Sequence, residues 1–156
     1  MQMTGLSELI TVASRWRAWA DPRFVVAVLD NGELSEVSWE QREMEGAPRY
    51  PASQDLPPMD YAGYAKLLGL AGEVVDQPDH IAGAWDRAFS TDRPYVLQFR
   101  TDPAIPLLPP LASGKQDAHG MREALTREGS SGNGLGARAI RLIEEYVRIE
   151  RDALLA

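Results

Sequence analysis

The stretch Asp30-Asn31-Gly32-Glu33 holds the residue types best suited to chemistry in this 156-residue chain. It follows Phe24-Val25-Val26-Ala27-Val28-Leu29, a continuous apolar run that is too short for a helix and rich in β-branched residues. Such a run fits a strand buried on both faces of a parallel sheet. Ligands of parallel α/β sheets collect at the carboxyl ends of the strands. An Asn side-chain oxygen, a carboxylate and a backbone carbonyl are hard oxygen donors, suited to Mg²⁺ and to a phosphate that it neutralises. Asp-Asn-Gly is more often simply a turn, so on spacing alone the turn is the preferred reading.

The other inventories are thin. With no cysteine, disulfides, thiol nucleophiles and Cys-based zinc sites are excluded. His80 and His119 lie far apart and in no metal spacing, and read as surface or capping residues. No Ser-His-Asp spacing stands out. Gly132-x-Gly134-x-Gly136 follows no strand, so a flexible linker is preferred to a phosphate loop. By their spacing Glu36, Glu40 and Glu43 read as the solvated face of a short helix. Trp39 reads as packing, and the pairs Tyr61/Tyr64 and Trp85/Phe89 as core.

The elements that would position these residues alternate. Leu6, Leu9, Ile10, Ala13, Trp16 and Ala20 predict a helix over 4–19 with Thr4 as N-cap, ended by Asp21-Pro22. The strand 24–29 follows, then a short helix over 37–44. Five residues, Gly46, Pro48, Pro51, Pro57 and Pro58, mark 46–58 as loop. Asp60 is placed to cap a helix carrying Tyr61, Tyr64, Ala65 and Leu68, with Gly69 at its left-handed end. Gly72–Val75 is a strand candidate, Pro78 opens another helix, and Tyr95–Phe99 is the next strand. This alternation predicts an α/β fold with a largely parallel sheet. Residues 101–110 are Pro-rich and read as an extended exit. A linker around a short helix at 118–127 spans 111–136. A final amphipathic helix over 137–155 carries Ile140, Ile143, Val147 and Leu154, with Glu144 and Arg148 as an i,i+4 pair.

Composition narrows the class. Hydrophobic residues at 44% and charged residues at 25% are ordinary for a globular chain. No apolar stretch approaches the ~20 residues that span a bilayer. Glu8 interrupts the first apolar stretch and no basic segment precedes it, so no signal peptide is read. A net charge of −7 leaves no dense basic field for nucleic-acid phosphates. The final helix carries acidic and basic residues in equal number, unlike the cationic face of membrane helices. The expectation is a cytoplasmic acidic domain without nucleic-acid or membrane partners.

From Met1 to Pro110 the chain resembles the C-terminal cofactor domain of thiamine diphosphate enzymes acting on 2-oxo acids, with pyruvate oxidase and quinone-dependent pyruvate dehydrogenase-like proteins as the nearest likeness. The segments that carry the resemblance are Met1–Ala13, Val28–Leu34, Trp39–Arg42, Met44–Gly46, Asp60–Ala65, Ala84–Ala88 and Asp92–Pro94. The resemblance implies a three-layer, Rossmann-like (flavodoxin-like) fold whose first strand, with its Gly-Asp-Gly triplet, lies before Met1. It divides the chain into a partial cofactor domain at 1–110, a linker at 111–136 and a C-terminal helix at 137–156. It implies Mg²⁺ held by the Asn31 side chain and the Glu33 backbone oxygen, with Thr4 and Leu34 also against the cofactor. Asp30 stands where the family has its first Asn, and strand-end capping is its expected role. Glu36 and Val37 fall on the substrate side, and Glu40 is the candidate for proton transfer. The flavin and the cofactor-activating glutamate belong to other domains, the latter to the N-terminal pyrimidine-binding domain of a neighbouring subunit in a homo-oligomer. The chain alone is therefore expected not to turn over a 2-oxo acid. Alternatives are an acetolactate synthase-like carboligase, and a non-catalytic fragment or interaction module.

Overall fold

The computed structural model describes residues 5–106, 115–129 and 134–154. In chain order the elements are α1 (Glu8–Arg15), β1 (Val25–Asp30), α2 (Ser35–Glu45), α3 (Pro51–Gln54), α4 (Tyr61–Leu67), β2 (Ala71–Val75), α5 (Ile81–Ser90), β3 (Tyr95–Arg100), α6 (Lys115–Gly129) and α7 (Leu135–Leu154). Short 3₁₀ turns, Trp16–Ala18 and Pro78–His80, follow α1 and precede α5. The chain forms two compact units, Met1–Asn31 with Pro58–Thr101, and Gly32–Pro57 with Asp102–Ala156. This division differs from the one drawn from the sequence at 110 and 136.

The first unit is the α/β part. Its parallel sheet has the order β1-β3-β2, with Val26 opposite Val96 and Gly72 opposite Val96 across the two ladders. Successive residues of a strand point to opposite faces. Val96 and Val28 join Leu9, Tyr61, Ala65 and Leu70 in one core. Leu97, Phe99 and Val75 pack with Ala84 and Ala88 of α5 in the other. Helices thus cover both faces, which is the expected layered α/β arrangement. Tight packing shows at Gly72, where an added Cβ would lie 3.1 Å from the carbonyl oxygens of Ala62 and Val96.

Three expectations for this unit need correction. The strand 24–29 was expected to be buried on both faces, yet Ala27 is exposed and Leu29 is 73% exposed. The reason is topological: β1 is an edge strand, and α5 packs on β2 and β3. The helix expected over 4–19 is α-helical only over Glu8–Arg15. Its entry bonds run from residue i to i−3 (Leu9 N–H to Leu6 O, Ile10 N–H to Ser7 O), and the chain leaves through a 3₁₀ turn. Thr4 lies outside the described residues. Phe89 is not core: it is 56% exposed and stacks on Trp85 at 5.5 Å, while Ala84 and Ala88 form the inward line of α5.

The second unit is helical. The buried positions of α2 are Ser35, Ser38, Trp39, Arg42 and Glu43, three or four apart as one helix face requires. Trp39 is fully buried with Ala104, Met121, Leu125 and Ala139, and Ile140, Leu142 and Ile143 pack against them. The reading of Trp39 as packing holds. The short helix expected at 118–127 runs over Lys115–Gly129, because Met121, Ala124 and Leu125 are buried. The loop expected over 46–58 contains the single turn α3. The α6–α7 approach depends on Gly136, where a Cβ would fall 2.0 Å from the Leu125 carbonyl oxygen. Glu144, expected to pair with Arg148, forms an ion pair with Arg122 of α6. Residues 107–114 and 130–133, which include the last four residues of the Pro-rich exit and Gly132, lie outside the described residues.

Candidate functional site

The carboxyl end of β1 carries Asp30. Its carboxylate accepts a 2.7 Å hydrogen bond from Gln98 Nε2 and forms an ion pair with Arg100, both on the neighbouring strand β3. Its side chain is 9% exposed. Strand-end capping, the role expected for Asp30, is what these bonds do, and the carboxylate faces the sheet's own donors.

Gln98 is the residue that the sequence reading missed. It is fully buried, and its Nε2 also donates to the Met59 carbonyl at 2.9 Å. Its Oε1 accepts from the Ala62 N–H at 3.2 Å, in the first turn of α4. One amide therefore ties together the end of β1, the approach to α4 and α4 itself. The available signal was a single amide in an otherwise apolar strand, Tyr95-Val96-Leu97-Gln98-Phe99. A buried polar group of that kind is kept because it is fully hydrogen-bonded.

Asn31, the residue after β1, is half-buried. The loop then turns at Gly32, whose φ of +73° suits glycine. Beyond it the chain is held against the segment ahead of α4. Leu34 N–H donates to the Gln54 carbonyl at 2.8 Å and Leu56 N–H to the Gly32 carbonyl at 2.8 Å, around an antiparallel bridge between Glu33 and Asp55. The Glu33 side chain is 3% exposed and meets Arg49 Nη1 at 2.8 Å. Burial pushes its carboxyl above the usual carboxylate range, against the opposing pull of Arg49 and Arg42. Arg49 Nη1 also pairs with Asp55.

Two further groups brace this loop. Gln54, buried, accepts from Tyr50 N–H at 2.7 Å and donates to Gln41 Oε1 at 2.7 Å. Arg42 is fully buried, gives both Nε and Nη2 to Glu128 at 2.9 Å, and lies 4.5 Å over the Trp39 ring. Glu128 also accepts from the Arg49 N–H at 2.7 Å.

Leu34 sits at the start of α2, and Glu36, Val37 and Glu40 share its exposed side, with Met44 one turn further. Glu43, grouped with Glu36 and Glu40 on one solvated face by its spacing, is buried instead. Among the described residues, no three His, Asp or Glu side chains converge as metal ligands. No described helix is long and apolar enough to cross a membrane. The loop after β1 carries oxygens without a formal charge, the Asn31 side chain and the loop carbonyls. These suit a hard cation whose remaining positions are filled by phosphate and water, so the residues present fit Mg²⁺ as a partial set.

An open parallel sheet with helices on both faces and a glycine-turned loop at a strand's carboxyl end defines an α/β cofactor-binding domain of the Rossmann-like class. Residues 1–99 match the family model of the thiamine pyrophosphate enzymes, C-terminal TPP-binding domain. The chain belongs to that family. No curated protein matches the chain. The match takes in nearly all of the sheet unit and the loop and helix of 32–57.

Proposed function

We propose that this chain is the diphosphate-holding part of a thiamine diphosphate- and Mg²⁺-dependent enzyme that decarboxylates a pyruvate-like 2-oxo acid and passes the electrons on, as an oxidase or dehydrogenase does. The observation that carries the reading is the coincidence of the family match over 1–99 with a hard-oxygen loop, Asn31 to Glu33, at the carboxyl end of β1. Thiamine diphosphate, when bound, supplies the nucleophile and electron sink for decarboxylation. The chain's own residues do the holding. Asn31 and the Glu33 carbonyl are the proposed Mg²⁺ donors, and Leu34 and Thr4 the residues alongside the cofactor. Glu36 and Val37 would border the substrate. Glu40, exposed one turn along α2 from Glu36, is the proposed proton-transfer group.

In this reading the activating glutamate and the flavin come from other domains, the glutamate from a pyrimidine-binding domain in a homo-oligomer. Isothermal titration of thiamine diphosphate into the protein with Mg²⁺ tests the proposal. Saturable, Mg²⁺-dependent binding is expected, weakened about 10–100-fold by Asn31→Ala, a loss of the size seen at metal sites. No binding to the wild-type protein, or equal binding by Asn31→Ala, overturns it. With pyruvate added, the chain by itself is expected to release no carbon dioxide.

A further inference from the structure

We infer that Arg49 is a positioning residue for the cofactor loop, clamping the Glu33 side chain so that the backbone carbonyl of the same residue is already aimed for a cation. The inference rests on the cofactor reading above and extends it to a residue outside the motif that carried the resemblance. Residue 33 is held on three sides. The peptide group before it is fixed through the Gly32 carbonyl, which accepts from Leu56 N–H at 2.8 Å. The peptide group after it is fixed through Leu34 N–H, which donates to the Gln54 carbonyl at 2.8 Å. The side chain is fixed by Arg49, 12% exposed, against a carboxylate that is 3% exposed.

The Glu33 carbonyl shares one planar trans peptide group with the Leu34 N–H, so the bond to Gln54 turns the carbonyl the opposite way and leaves only small rotations of that plane. The side-chain clamp removes that remaining freedom. Arg49 is itself immobilised, by Asp55 at its guanidinium and by Glu128 at its backbone N–H. Guanidinium suits the role because its planar donors reach two carboxylates at once. The carbonyl donor is therefore preorganised, and binding does not have to spend its free energy on ordering the loop.

The test is Mg²⁺–thiamine diphosphate affinity by calorimetry, with Mn²⁺ in place of Mg²⁺ as a spectroscopic probe of the metal's surroundings by electron paramagnetic resonance. Arg49→Met is expected to weaken binding about 10–100-fold, the range for residues that orient ligands from behind, and to broaden the Mn²⁺ signal. Arg49→Lys, which keeps a cation on Glu33, is expected to recover most of that loss. Glu33→Gln removes the same clamp from the other side, so its effect and that of Arg49→Met should be strongly non-additive in the double variant. Circular dichroism reports whether each variant folds, and Glu33→Gln decides the matter if Arg49→Met does not. Wild-type protein that fails to bind overturns the cofactor reading. Wild-type binding with unchanged affinity in Arg49→Met or Glu33→Gln, or fully additive losses, overturns the positioning role alone.

Discussion

Gln98 satisfies three groups with one side chain: the Asp30 carboxylate, the Met59 carbonyl and the Ala62 N–H. Replacing it with Leu keeps the volume but takes away the partner of the Ala62 N–H and of the Met59 carbonyl, while Asp30 keeps its ion pair with Arg100. An unsatisfied buried group costs about 1–3 kcal/mol and more when charged, so Gln98→Leu is expected to lower unfolding stability by about 2–4 kcal/mol in urea titration. A loss below about 0.5 kcal/mol would mean that the Ala62 N–H and the Met59 carbonyl find other partners. Residues whose role is settled within four positions were readable: Asp60 caps α4 by accepting from Gly63 N–H at 2.7 Å, and Gly69 takes a φ of +78°. Gln98, Arg49 and Arg42 were not, because their partners lie between 6 and 86 residues away in sequence and no local pattern records them.

Strand and helix placement followed from periodicity wherever the period was clean. The three strands fall where apolar runs stand between turn residues. What periodicity did not reveal was strand order. A continuous apolar run is consistent with a central strand, yet β1 is at an edge and β3 is central. Tyr95, at the start of β3, shows how elements couple. Burial is the main cause that raises its phenol above the usual value, and the Glu73 charge on β2 adds to it. A raised folded-state pKa means that the folded chain keeps its proton when the unfolded chain has lost it. The stabilisation is complete below the unfolded value of about 10 and is lost as pH rises through the folded one. Melting temperature should therefore fall more steeply between about pH 9 and 11 in the wild type than in Tyr95→Phe. Parallel curves for the two proteins would show that the phenol is as solvated folded as unfolded.

The division of the molecule into a sheet unit and a helical unit is the feature least visible in the sequence. The chain passes from one to the other after Asn31, after Pro57 and after Thr101. A composition shift at 101 suggested a tail, but α6 and α7 complete a core that α2 began, around Trp39. Cooperative units exchange their amide hydrogens together. Hydrogen-exchange mass spectrometry is thus expected to group α2 with α6 and α7 in their slowest opening, although β1 directly precedes it in the chain. Exchange of α2 in step with β1 would dissolve the helical unit as a cooperative entity.

The buried pair of Arg42 and Glu128 spans 86 residues, and that separation sets a clock during synthesis. At roughly 5–20 residues per second, about 4–17 s pass between the emergence of Arg42 and that of its carboxylate. Through that interval the Trp39 face of α2 has nothing to close on, while the sheet strands that follow it are being completed. The nascent chain therefore displays a tryptophan and an unpaired guanidinium side by side until Glu128 emerges, a window in which a chaperone that recognises aromatic and cationic segments has its best access to this protein.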